Sequence, residues 1–471
     1  MGLGDIADSI SRQIEAIGDA TSEALFEPVI RLGVTGLSRA GKTVFITSLV
    51  ANLMNRARMP GLMAAANGRI ETAFLQPQPD DTVPRFDYET HLSAMTGPAP
   101  HWPDSTRAIS ELRLSFRVQP SGLLGGLRSA RTVHLDIVDY PGEWLLDLAL
   151  LDVSYTDWAA QTLNRIDRRA QAQDYLAMAR STGADDKLDE MQAKRLAASF
   201  AGYLKAARED GYSDCTPGRF LLPGDMAGSP ALTFAPLPKP DTTPRGSLWR
   251  EMDRRFEAYK SRVVKPFFRD HFARIDRQVV LVDVLGAIHA GPAALEDLRG
   301  AMAEILTAFN PGRNSLLSTL LMQRRVERIL FAATKADHLH HTQHARLTAI
   351  TEALLRDARD RADFAGAKTA AMSLAALRTT TEETMDHDGQ RLDCVRGRLL
   401  DSGKTAAFYP GALPEDPSQL LKPARKGAER WLEADYQVMR FAPAEILMRP
   451  GEGPPHIRLD KAAEFLIGDR L

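Results

Sequence analysis

The chain has 471 residues, of which 44% are hydrophobic and 25% charged, with a net charge of -2. This is the balance of an ordinary soluble globular protein, with length for about three domains. The near-zero charge excludes the strongly basic footprint of a nucleic-acid binder, and no apolar run approaches the roughly 18 residues that cross a bilayer.

In chain order, Ile6, Ile10, Ile14 and Ile17 recur at helical spacing and predict an amphipathic helix over residues 1–28. Its polar face carries Asp5, Asp8 and Glu15 rather than a basic cluster, so it is expected to pack on protein, not on a membrane. The start has no basic stretch followed by an apolar core, as a secretory signal would. Nor is it a myristoylation signal, because Ile6 stands where Ser or Thr is required. Cys215 and Cys394 match no metal or redox spacing and fit a reducing, cytoplasmic setting.

Arg31 to Thr35 predicts a short buried strand, with a helix opening near Lys42. Met59 to Pro103 is rich in Pro, Gly and Asp and reads as irregular. Glu111 to Val118 alternates and predicts an edge or half-exposed strand, and Val133 to Val138 a more buried one. From Leu145 to about Arg277 the pattern is mostly helical, with helices over Lys187–Glu209 and Leu248–Arg277 around a Pro- and Gly-rich connector, Cys215–Pro244. Val279–Val284 is a β-branched run typical of a strand covered on both faces. Ile329–Ala333 and Lys368–Leu374 are further strands, with helices over Pro292–Phe309 and Thr342–Ala362. Strands alternating with helices predict a doubly wound α/β sheet.

Three motifs carry chemistry. The first, Gly36-Leu37-Ser38-Arg39-Ala40-Gly41-Lys42-Thr43, fits G-x-x-x-x-G-K-S/T between a strand and a helix and runs on into Val44. Its glycines let successive N–H groups face phosphate oxygens, and the helix adds its positive end. Lys42 is the candidate to bridge the β- and γ-phosphates, and the Thr43 hydroxyl to hold magnesium. A downstream look-alike, Gly397 to Thr405, has five residues between its glycines rather than four and follows no buried strand, so it reads as a loop.

The second motif, Asp139-Tyr140-Pro141-Gly142-Glu143-Trp144, ends the Val133 strand. A carboxylate there is the second magnesium ligand of P-loop proteins. Asp139 is preferred over Asp136, which points to the opposite face. Asp-x-x-Gly resembles the switch motif of Ras-like GTPases, in which the glycine N–H, here Gly142, meets the γ-phosphate. The third, Thr334-Lys335-Ala336-Asp337, follows a buried strand and fits N/T-K-x-D. The Asp337 carboxylate accepts from the ring N–H and the amino group of guanine, a donor pair that adenine lacks. Losing such a hydrogen bond costs about 1.5–3 kcal/mol. The Lys335 stem is expected to cover the base, and small residues at Ala375 and Ala376 to admit a backbone N–H to the guanine oxygen. The remaining magnesium ligand is expected just before the Glu111 strand, at Thr106 first and Ser105 second. Trp102 is expected to pack on the nucleotide. Arg39 and Arg107 are the two candidates for transition-state charge.

With these stretches, together with Gln278–Pro292 and the tail Pro455–Asp469, the chain resembles the YcjX-like family of stress-associated bacterial proteins. The resemblance implies a Ras-like P-loop NTPase core over residues 29–144 and 278–471, interrupted by a large, mostly helical insertion over 145–277. It implies GTP and GDP binding with magnesium, and it takes His338 in with the base site. The expected protein is a slow magnesium-dependent GTPase acting as a nucleotide-controlled switch in a stress response. The effector is not implied. Glu143 stands where Ras-like enzymes carry a water-orienting Gln, and a carboxylate there either acts as a base or repels phosphate. A non-hydrolysing GTP-regulated scaffold and an ATP-dependent kinase or ATPase therefore stand as alternatives.

Overall fold

A computed structural model of the chain describes residues 27–37, 40–104, 108–120, 129–223, 226–309, 326–361, 367–431 and 436–471. Of the helix expected over residues 1–28, residues 1–26 lie outside them. The centre is a seven-stranded sheet in the order β2-β3-β4-β1-β5-β6-β7. Its strands are β1 (Val29–Gly36), β2 (Ile70–Gln76), β3 (Ser110–Val118), β4 (Arg131–Asp139), β5 (Arg277–Val282), β6 (Arg328–Ala333) and β7 (Lys368–Ser373). β4, β1, β5, β6 and β7 run parallel, and β2 and β3 join antiparallel at one edge. β5 is buried at every residue, as its unbroken β-branched run demands. Val280 and Val282 face one apolar cluster while Val279 and Leu281 face the other, the period of two expected of a strand. The Lys42–Met54 and Leu459–Ile467 helices cover the second face, and the Pro292–Phe309 and His344–Arg361 helices the first.

Several sequence expectations are corrected. Met59–Pro103 is not irregular: it contains β2 and a helix, Tyr88–Thr96, capped by Asp87. β2 escapes detection because it is an edge strand with a register shift and mostly solvent-facing side chains, which destroys the alternation. β3 is interior rather than half-exposed, because β2 and β4 flank it. β5 ends at Val282; Asp283 turns the chain and caps the Val284–Ala290 helix by accepting from Gly286 N–H at 2.9 Å. The Leu248–Arg277 stretch is a helix to Tyr259, a π-type turn over Lys260–Val264 and a further helix Lys265–Asp270. A second sheet, order β10-β9-β8, was not foreseen: β8 (Thr381–His387), β9 (Gln390–Arg398) and β10 (Thr405–Phe408). β8 is too polar and exposed to read as a strand. Its turn, Asp388-Gly389, with φ of 51° and 79°, is a hairpin signal present in the sequence. Gly397 sits inside β9, and the look-alike P-loop is a hairpin turn.

The helices between residues 145 and 277 do not stand on a core of their own. Trp158, Phe200, Phe234 and Phe256 belong to the same continuous apolar cluster as Val280 and Phe331 of the sheet. Phe256 is fully buried, stacked on Trp158 at 4.9 Å and edge-on to Phe234 at 5.6 Å. Truncating it leaves a cavity that neither neighbour can fill. Phe256→Ala is therefore expected to lower stability by about 3–5 kcal/mol, read as a fall in the urea unfolding midpoint.

Candidate nucleotide site

The phosphate end is assembled by the ends of β1 and β4. β1 delivers Gly36, and Leu37 N–H donates to the Leu281 carbonyl at 3.0 Å, so the loop leaves the sheet at a fixed point. Gly41 is the residue before the Lys42–Met54 helix and has φ 77°, a left-handed conformation that favours glycine. Lys42 Nζ reaches Asp139 Oδ1 at 3.2 Å, and Thr43 is buried at the same helix start. Ala40 is buried beside them and Val44 lines the same space. Ser38 and Arg39 lie outside the described residues.

β4 is held in register with β1, and Tyr140 N–H continues the ladder to the Val34 carbonyl at 3.3 Å. This draws Gly142 against the P-loop strand so closely that a Cβ there would lie 2.3 Å from the Gly36 carbonyl oxygen. Asp139 is buried, and its Oδ2 has no hydrogen-bond partner among the described residues. Asp136 turns the other way and forms a two-pronged pair with Arg113, at 2.7 and 2.9 Å. Ser105, Thr106 and Arg107 lie outside the described residues.

The base end is built from the ends of β6 and β7. Lys335 has φ 61°, and its Nζ pairs with Asp283. Asp337 is buried, and its Oδ2 accepts from Thr379 N–H at 2.9 Å and Thr379 Oγ1 at 2.7 Å. The threonine orients the carboxylate through Oδ2. Ala375 lines the cavity, and its own N–H donates to the Ile457 carbonyl at 3.1 Å. Ala376, beside it, makes no backbone hydrogen bond through its N–H among the described residues. His338 is buried edge-on to Phe441 at 5.1 Å, its Nδ1 has no partner among the described residues, and burial pushes its pKa down, which keeps the ring neutral. Trp102 Nε1 donates to the Phe441 carbonyl at 2.8 Å.

Both ends open into one cavity of about 480 Å³, a size that suits a small-molecule ligand. Its wall includes Lys42, Thr43 and Glu143 at one end and Lys335, Asp337 and Ala376 at the other. Wall residues missed from sequence include Arg208, Leu222, Thr379, Leu400, Arg440 and Phe441. Arg208, Leu222, Arg440 and Phe441 come from segments with no motif around them, whereas Leu400 sits in the look-alike loop and Thr379 just beyond Ala376. His340, His341 and Glu382 also gather, with ligand atoms within 4.8 Å. His341 Nδ1 and Glu382 Oε2 already share a hydrogen bond at 2.6 Å, and a nitrogen-rich set is not what magnesium takes.

Directly after Gly142, the chain meets the 145–277 helices. Glu143 is buried, with Oε1 2.9 Å from Arg208 of the Glu190–Glu209 helix. Gly218 packs so tightly on the Glu143 backbone that a Cβ would lie 2.5 Å from its carbonyl. The Arg219 guanidinium covers the Trp144 ring at 3.3 Å. Gly218 N–H donates to Asp147 Oδ1 at 2.8 Å, and the Tyr259 hydroxyl donates to Oδ2 at 2.5 Å.

The mostly parallel sheet, the loop wrapped between β1 and its helix, and the acid ending β4 define a Ras-like P-loop fold. Residues 30–471 match the model of the YcjX-like family, DUF463, and the chain belongs to that family. A relative from Escherichia coli (strain K12), named Ras-like GTPase YcjX, is 39% identical over 458 residues, covering 94% of this chain and 96% of the relative. A relative of the same name from Shewanella oneidensis is 36% identical over 468 residues, covering 94% of each. No described helix is long and apolar enough to cross a membrane.

Asp147 ties the post-Gly142 segment to the inserted helices, and its titration is perturbed. Burial pushes its carboxyl from 3.8 up to about 7, against the lowering pull of the Tyr259 hydroxyl and the Gly218 N–H. Between those values the folded state keeps a proton that the unfolded state has lost. Its contribution to stability therefore falls as pH rises from about 4 to about 7, then levels off. Asp147→Asn cannot ionise and is expected to remove this term. Urea denaturation from about pH 5 to about pH 8 should show the variant gaining on the native chain by up to about 1.4 kcal/mol per pH unit below pH 7.

Proposed function

We propose that the protein binds GTP and GDP with magnesium and hydrolyses GTP slowly, the nucleotide controlling the segment that begins at Gly142. The observation that carries this reading is one cavity with a lysine and a buried carboxylate at one end and an oriented aspartate at the other. The names of the two relatives agree with it. The stress-response setting rests on the family resemblance, and a cytoplasmic location on where guanine nucleotides and the two free thiols belong.

Lys42 exchanges Asp139 for the β- and γ-phosphate oxygens, and the Gly142 N–H meets the γ-phosphate. Asp139 Oδ2, buried without a partner, and the Thr43 hydroxyl are hard oxygen donors that fit magnesium, with Thr106 the third candidate. When bound, the ion supplies positive charge to the phosphate oxygens. A water oxygen bonds to the γ-phosphorus as its bond to the β–γ bridging oxygen breaks, and Glu143 is the candidate to take the water proton. A second reading, a non-hydrolysing GTP-regulated scaffold, is favoured by one observation: Glu143 is already held beside Arg208. Single-turnover phosphate release separates the two. An ATP-dependent enzyme is disfavoured by Asp337, which adenine would leave unpaired.

Titration with GTP, GDP and ATP in magnesium is expected to favour the guanine nucleotides, and equal ATP affinity would sink the assignment. Asp337→Asn is expected to weaken GTP binding about tenfold or more while raising affinity for xanthosine triphosphate, since an amide donates where the carboxylate accepted. Gly218 and Arg219 of the 215–244 connector contact Glu143 and Trp144, in the segment that begins at Gly142. Hydrogen exchange in residues 145–166 and 215–244 is therefore expected to differ between GDP and a non-hydrolysable GTP analogue. Identical protection with the analogue bound would mean that the insertion does not read the nucleotide.

A further inference from the structure

We propose that Arg208 is the arginine that contacts the γ-phosphate, carried into the phosphate end by the inserted helices and parked against Glu143 until a triphosphate arrives. The inference rests on the GTP reading above and names a residue that neither the motifs nor the family resemblance supplies.

Arg208 lies in the last turn of the Glu190–Glu209 helix, far from every nucleotide motif in sequence, yet it lines the same cavity as Gly41, Lys42 and Thr43. About a third of its side chain is exposed, whereas Glu143 is only 7% exposed. The guanidinium lies 2.9 Å from Glu143 Oε1, but among the described residues no N–H is aligned on that oxygen. The contact is one of charge without a directed fork. Arg113 on Asp136 is the contrast: two aligned N–H groups on two carboxylate oxygens. Among the described residues Arg208 thus makes no aligned hydrogen bond to Glu143, and its planar donor set matches a phosphate in the two-pronged way. The cavity's other described arginine, Arg440, faces Asp401 at 3.8 Å, and Arg219 lies on the Trp144 ring.

Glu143 explains the parking. A buried carboxylate beside a γ-phosphate raises a repulsion that the neighbouring guanidinium offsets. A triphosphate brings more negative charge than Glu143 and competes for the arginine. Once Arg208 turns to the γ-phosphate, the Glu143 carboxylate loses its countercharge and becomes a better acceptor for the proton of the attacking water. Loss of the γ-phosphate returns Arg208 to Glu143. The move is short, because the Gly218–Glu143 contact already holds the inserted region on this segment. The insertion then supplies in the same chain the charge that other switches take from a partner's arginine.

The test compares the native chain with Arg208→Ala and Arg208→Lys, all in magnesium. It measures affinity for GDP and for a non-hydrolysable GTP analogue, together with single-turnover phosphate release from GTP. Arg208→Ala should keep GDP affinity within about twofold and lose about tenfold for the analogue, the scale of one charge-assisted hydrogen bond. Phosphate release should slow by about a thousandfold. Arg208→Lys retains a charge beside Glu143, so it reports even if the alanine variant misfolds. It should keep most analogue affinity and lose most of the turnover, because an ammonium lacks the fork. Arg208→Ala with unchanged analogue affinity and turnover would overturn the inference, and so would an equal loss of GDP and analogue affinity, which marks a structural role. Either result in a native chain that binds GTP leaves the GTP reading standing. A native chain that binds no guanine nucleotide overturns both.

Discussion

The close approach of Gly142 to Gly36 is the constraint on which the rest of the site depends. Any side chain at residue 142 would put a carbon 2.3 Å from the Gly36 carbonyl oxygen, well inside van der Waals contact. The glycine is there because β1 and β4 are paired neighbours whose ends must converge. That convergence brings the Lys42 ammonium onto the Asp139 carboxylate. It also decides where the chain goes next: Glu143 leaves the contact buried, with Arg208 on one side and Gly218 on the other. A local steric fact about two glycines thereby connects the loop after β1 to helices that begin more than a hundred residues further on.

How much of this is legible in the sequence depends on the range of the interactions. The loop Gly36–Thr43, the Asp139–Gly142 segment and the Thr334–Asp337 turn are read because each is a short string whose spacing is fixed by one strand end. β5 and β6 are read because strands covered on both faces need continuous apolar runs. β2 and β8 are lost for the opposite reason: their side chains face solvent and carry no alternation. The Ala375 N–H is already taken because a tail residue, Ile457, pairs with it across the fold, and no local pattern announces such a bridge. Thr379, Leu400, Phe441 and Arg208 reach the cavity by tertiary packing alone. Asp388-Gly389 is different, since the hairpin signal was present and went unread.

The two ends of the cavity are prepared in different ways. At the base end the partners are aligned in advance. Thr379 fixes the Asp337 carboxylate with two hydrogen bonds, and Asp283 draws the Lys335 ammonium to one side. Side chains held in place before any ligand enters keep the ordering cost of binding low. At the phosphate end the charges are satisfied by one another. Lys42 rests on Asp139 and Arg208 on Glu143, so each cation already has an anion.

If the cavity holds GTP as proposed, this difference decides which part of the ligand the protein senses. Each cation that turns to a phosphate leaves behind a buried carboxylate, and an uncompensated buried charge is expensive. Asp139 is relieved by a metal ion, for which its unpartnered Oδ2 is suited. Glu143 has no such relief except a proton or a water molecule. The base end therefore fixes affinity for the nucleoside, which GDP and GTP share. The phosphate end is a set of exchanges whose last step only a γ-phosphate can drive. That last exchange involves the two residues, Glu143 and Arg208, that join the strand end to the inserted helices. A signal generated there needs no further route to reach the insertion, because one of the two exchanging groups is already part of it.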